Sequence, residues 1–120
     1  MNAPVYAADA ASQFLTISNA QLPLVRNRTK TAAMHTGRHD IRTGLLRLDS
    51  ADGRDSCLVI VTRVAVTQVA DVPTWALAGA GLTNVEDLFD RLRPNQPDIS
   101  LATKLTSIEF AYAGEIARAA

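Results

Sequence analysis

The sequence predicts an α+β fold, a small β-barrel flanked by short helices. Three observations carry this. Residues 57–69 are β-branched almost throughout, and 58–61 are apolar at consecutive positions, as in a strand wrapped on both faces. Residues 104–112 alternate, placing Thr106, Ile108, Phe110 and Tyr112 on one side. Between them Val85, Leu88, Phe89 and Leu92 form one helical stripe. Strand and helix do not alternate regularly enough for a doubly wound sheet. With 48% apolar residues in 120, the chain can build one core, expected to unite Leu58, Ile60, Val61, Val64, Leu88, Phe89, Leu92, Ile108 and Phe110.

The elements follow in order. Residues 1–12 are alanine-rich and patternless, expected as a flexible tail. Phe14, Leu15 and Ile17 mark a short strand. Asn19 is placed to cap a short helix bearing Leu22, Leu24 and Val25, with Pro23 in its first turn. Residues 29–36 read as a strand, 37–44 as a polar loop and 45–49 as a strand, before a hairpin signal at Asp52-Gly53. Residues 73–80 read as a short helix or turn with the single tryptophan, Trp75. Thr83 and Glu86 have capping-box spacing, and Pro94 and Pro97 end the helix behind them. The domain is expected over 13–114, with a second tail at 115–120.

Charge is unevenly distributed. The net formal charge is zero, yet residues 26–47 hold six of the twelve Lys and Arg residues, both histidines and one acid, Asp40. Arg28, Lys30, Arg38 and Arg42 lie among threonines and glycines there, a composition suited to phosphate or another anion. They are expected to line one cleft, with His35 or Trp75 stacking on a base. The near-neutral balance favours a weak or small-ligand interaction over tight polyanion binding.

Other chemistries lack their signatures. No phosphate loop, dinucleotide fingerprint or nucleophile elbow occurs. His35 and His39 stand four apart, but Thr36-Gly37 breaks a helix between them and no third ligand is near, so neither metal nor cofactor is expected. Cys57, the single cysteine, reads as a reduced core thiol. No apolar stretch reaches membrane-spanning length and no secretory signal opens the chain, so a cytoplasmic protein without a membrane partner is expected. The face of Glu86, Asp87, Asp90 and Arg91 reads as ordinary solvated surface.

A short opening helix, then Lys30-Thr31-Ala32-Ala33-Met34-His35, a glycine-containing loop and Gly44-Leu45-Leu46-Arg47 come in succession. Val59-Ile60-Val61-Thr62-Arg63-Val64, Gly81-Leu82-Thr83-Asn84-Val85-Glu86-Asp87-Leu88 and Leu105-Thr106-Ser107-Ile108-Glu109-Phe110 follow. This ordered set resembles the ASCH domain, named for activating-signal-cointegrator homology, over about residues 13–112. The resemblance implies a PUA-like fold and a link to RNA. It also implies an alternative, because small bacterial relatives include amidohydrolases of acetylated cytidine and other members are ribonucleases of single-stranded RNA. The family's second strand runs close to Gly-x-Lys-Thr-x-Thr-x-Arg. Lys30 and Thr31 match it; Asn27 or Arg28 stands near the glycine, Ala33 in place of the second threonine and His35 in place of the arginine. The glutamate used with that lysine falls near Ala80.

The expected function is therefore binding of RNA or a nucleotide-like small molecule through Arg28, Lys30, Thr31, His35, Arg38 and Arg42. The alternatives are a hydrolase centred on Lys30, with Thr29, Thr31 or Thr36 replacing the missing hydroxyl, and a protein-interaction module with a vestigial pocket.

Overall fold

Two long strands, β5 (Ser56–Gln68) and β6 (Lys104–Ile116), pair antiparallel and form the spine of the molecule. The computed structural model describes residues 3–117. β4 (Gly44–Ser50) lies antiparallel on β5, and β2 (Phe14–Ile17) parallel on β4. On the other side of β6, β3 (Ala32–Thr36) pairs antiparallel with its first half. Register shifts at Leu58/Val59 and Val61/Arg63 interrupt the central ladder, the kind of irregularity that bends and twists a sheet. The sheet curls into a half-barrel with β2 at one edge and β3 on the first half of β6 at the other. No backbone ladder joins them among the described residues. Instead His35 Nε2 donates to the Thr16 carbonyl at 2.9 Å, bridging the seam.

A 3-10 turn at Asn19–Gln21 and α1 (Leu22–Arg26) connect β2 to β3, sending Leu22 and Val25 into the barrel. Asn19 does not cap them; its side chain bonds Asp52 across the structure. α2 (Thr74–Gly79) and α3 (Val85–Leu92) lie between β5 and β6 in sequence. The cap of α3 is Asn84 rather than Thr83. Its side chain accepts from the Asp87 backbone at 3.0 Å, and the Asp87 carboxylate accepts from the Thr83 backbone at 3.0 Å. The cap thus stands one residue later than Thr83 and Glu86 suggest, because Asn84 is the residue in extended conformation, and the acid reaches back to the residue before the cap instead of to the cap itself.

Among the described residues the single expected core is two clusters. Leu15, Ile17, Leu22, Val25, Ala33, Leu46, Val59, Val61, Ile108 and Phe110 fill the barrel. Val69, Leu77, Leu88 and Leu105 form a second cluster under α2 and α3, with Met34, Phe89 and Leu92 against it. Strand periodicity explains the division. Ala33, Ile108 and Phe110 face inward, while Met34 and Leu105, one residue out of phase, face the helices. Ile60 corrects a further expectation: it is 43% exposed. Leu58, on the same side of β5, is buried and pairs with Gly114, on which Pro4 and Tyr6 sit.

Residues 5–6, within the stretch expected to be loose, form β1 (Val5–Tyr6), parallel to Glu115–Ile116. The last strand likewise runs past residue 114; residues 1–2 and 118–120 lie outside the described residues. Cys57 is fully buried, and burial pushes its thiol up to about 12. Among the described residues no helix is long and apolar enough to cross a membrane.

Candidate functional site

Lys30 enters the interior through the way α1 ends. Asn27 closes that helix, and Arg28 takes a left-handed conformation with φ of 65°. The chain turns, and the Lys30 backbone donates to the Leu24 carbonyl at 3.0 Å. Next, the Thr31 backbone donates to Gly79 and its carbonyl accepts from Phe110, both at 2.9 Å. Lys30 is thereby pinned between α1, α2 and β6 and is only 6% exposed. Its ammonium makes no hydrogen bond or ion pair among the described residues.

The side chain lines a cavity of about 360 Å³ at the seam between β2 and β3. Thr16, Ile17 and Ser18 come from the β2 side, Ala33, Met34 and His35 from β3, and Leu88, Arg91 and Leu92 from α3. No carboxylate of the described residues lines it. Arg91 is held at the mouth, its guanidinium donating to the Ala80 carbonyl at 3.1 Å. A second recess of about 190 Å³ shares Gln21, Lys30, Ala80 and Arg91 and includes Thr29. Burial, and secondarily the Arg91 charge, lowers the Lys30 ammonium to about 8. Burial also lowers His35, and the Lys30 and His39 charges add to this against the Thr16 hydrogen bond. His35 is therefore neutral near pH 7, with Nε2–H on Thr16 and a buried Nδ1 that has no partner among the described residues.

The other expected site residues do not converge here. Thr31 is next to the cavity but its hydroxyl faces Gly79. Arg28 lies over the Tyr112 ring at 5.5 Å. Arg42 lines a separate depression with Gln13. Arg38 is exposed in the loop after β3. His39 meets His35 edge-on at 5.9 Å, and its Nε2 donates to the Thr36 carbonyl at 2.8 Å. Trp75 is half-buried under the Arg63 guanidinium at 5.0 Å. Thr36 accepts from the Gln96 amide.

Arg91 is the site residue that the sequence does not announce. Its neighbours Glu86, Asp87 and Asp90 suggest an outward face, but it stands next to Leu92 and three residues beyond Leu88, at the border of the apolar stripe. That border position was the available signal. Ala33 and Ala80, where the resemblance calls for a threonine and a glutamate, do reach the cavity, and present methyl groups to it.

Neither a protein-family model nor a curated protein matches the chain. Solved structures do. The ASCH domain from Lactobacillus crispatus aligns with a TM-score of 0.60 and 16% identity, over 87% of this chain and 82% of that one. A protein from Enterococcus faecalis, of a domain family of unknown function, aligns with a TM-score of 0.56 and 15% identity, over 77% of this chain and 66% of its own. A third, described only as hypothetical, gives 0.62 at 12% identity, over 83% and 97%. At such identities the likeness is one of fold: the chain has an α+β half-barrel like that of the ASCH domain structure.

Proposed function

We propose that the chain binds a small anion of nucleotide type in the seam cavity, with Lys30 and Arg91 as its cationic contacts. One observation carries this reading. Lys30, only 6% exposed, stands beside a second cation in a cavity that no carboxylate of the described residues lines. A buried charge without a partner is costly, and an incoming anion removes the cost. The volume, near the lower end of small-molecule sites, suits a mononucleotide or a single flipped-out nucleotide better than a longer segment. The dispersal of Arg28, Arg38 and Arg42 supports the same preference, leaving RNA as the second reading, in which those arginines track phosphates outside the cavity.

Hydrolysis of acetylated cytidine is expected to be weak or absent. General acid-base groups typically contribute ~10²–10⁴-fold, and methyls occupy both positions where the resemblance asks for such groups. Turnover that vanishes in Lys30→Met would reverse this ranking.

The test is titration with uridine 5′-monophosphate, inorganic phosphate and a short unstructured RNA. Lys30→Met and Arg91→Gln should each weaken mononucleotide binding by about tenfold or more, as for a lost charged hydrogen bond. Arg42→Ala should leave it unchanged. Mononucleotide binding untouched by Lys30→Met defeats the proposal. RNA binding that depends on Arg42, with no mononucleotide affinity, establishes the second reading.

A further inference from the structure

We propose that Lys30 captures anionic carbonyl compounds, 2-oxo acids and aldehyde acids, as a Schiff base inside the seam cavity. The inference rests on the anion-binding reading and adds a covalent step to it.

Three geometric facts combine. The Lys30 side chain is almost wholly buried yet reaches a cavity of about 360 Å³. Ile17, Ala33, Ala80 and Leu88 form part of that cavity's wall, and apolar wall of this kind desolvates an amine. No carboxylate or hydrogen-bond acceptor among the described residues ties the ammonium down. A lysine held in an ion pair keeps its proton; one that is desolvated beside another cation gives it up. With the amine at about 8, about a tenth of it is neutral at pH 7. A lysine free in water, near 10.4, is neutral less than about one part in a thousand.

Arg91 supplies the second half. Fixed at the mouth by the Ala80 carbonyl, it offers a docking point for a carboxylate whose neighbouring carbonyl carbon is delivered to Nζ. The ammonium first loses one proton to solvent. The neutral amine attacks the carbonyl carbon, giving a carbinolamine. The former carbonyl oxygen then leaves as water as the C=N bond forms.

The chain provides its own control, since it contains two lysines, Lys30 and Lys104, and Lys104 is exposed at the start of β6. Native protein is incubated with glyoxylate and sodium cyanoborohydride, whose hydride reduces the imine to a stable carboxymethyl amine, and adducts are mapped by peptide mass spectrometry. Lys30 should carry at least tenfold more adduct than Lys104. Acetaldehyde, a carbonyl without the anion, should not show this preference. Arg91→Gln, an exposed position expected to leave the fold intact, should reduce the glyoxylate preference about fivefold or more, and inorganic phosphate should compete. Phosphate binding is followed separately by NMR. If phosphate binds and Lys30 is labelled no more than Lys104, Schiff-base capture is wrong and the anion-binding reading stands. If phosphate does not bind and Lys30 is not preferred, both fall.

Discussion

Lys30 is a residue whose placement opposes folding. Moving its ammonium from the ordinary 10.5 to about 8 corresponds to about 3 kcal/mol of lost stability when the protein is charged at neutral pH. The sign follows from proton counting. Between about pH 8 and 10.5 the unfolded chain holds the proton and the folded one does not, so native stability rises with pH across that window. Lys30→Met should therefore stabilise the protein at pH 7, by up to about 3 kcal/mol, and the advantage should shrink towards pH 10. Urea denaturation at the two pH values measures it. A variant no more stable than the native protein at pH 7 would show that the ammonium is better solvated than its burial implies. Anion affinity has the opposite pH dependence, falling as pH rises through about 8, because the ligand needs the protonated form.

At the level of elements, the site depends on how closely α2 approaches β3. A Cβ on Gly79 would stand 2.6 Å from the Ala32 Cβ and 2.8 Å from the Thr31 Oγ1, so α2 packs on a glycine against an alanine. Gly79→Ala should cost about 1–3 kcal/mol through overpacking. It should also weaken mononucleotide binding, because the displaced segment includes Ala80, whose carbonyl holds Arg91. Calorimetry with uridine 5′-monophosphate reads the second effect; full affinity in a destabilised variant would separate α2 from the site. On α3, Asn84→Ala removes the side chain that accepts from Asp87 and should cost about 1 kcal/mol in chemical denaturation. Thr83→Ala should cost less, since the Thr83 contribution is through its backbone N–H.

Over the whole molecule, two apolar clusters lie on opposite faces of β3 and β6. Leu46 is in the barrel and Leu88 under the helices, both fully buried. Each replaced by alanine should cost about 2–5 kcal/mol. The double variant should lose the sum to within about 0.5 kcal/mol, as expected of sites with no shared partners. A large coupling energy would show that the clusters act as one core after all. Leu88→Ala should additionally alter ligand affinity, because Leu88 lines the seam cavity, whereas Leu46→Ala should not.

What the sequence determined by itself was local. The β-branched run of β5, the alternation in β6 and the stripe of α3 follow from side-chain period, which neighbours in the chain dictate. The resemblance carried by ordered motifs implies a PUA-like barrel, and it is what sets Lys30 apart from the other cations of residues 26–47. Tertiary structure decided the rest. Ile60 and Leu58 share a face, yet the covering by Pro4 and Tyr6 at Gly114 accompanies the burial of one and not the other. One expected core became two because alternate residues of β3 and β6 meet different partners. Arg28, Arg38 and Arg42 are close to Lys30 in sequence but diverge in space, while Arg91, distant in sequence, comes to the same cavity. Clustering along a chain measures charge density. Whether those charges share a site depends on how strands and helices from separate parts of the chain pack, and no local period records that.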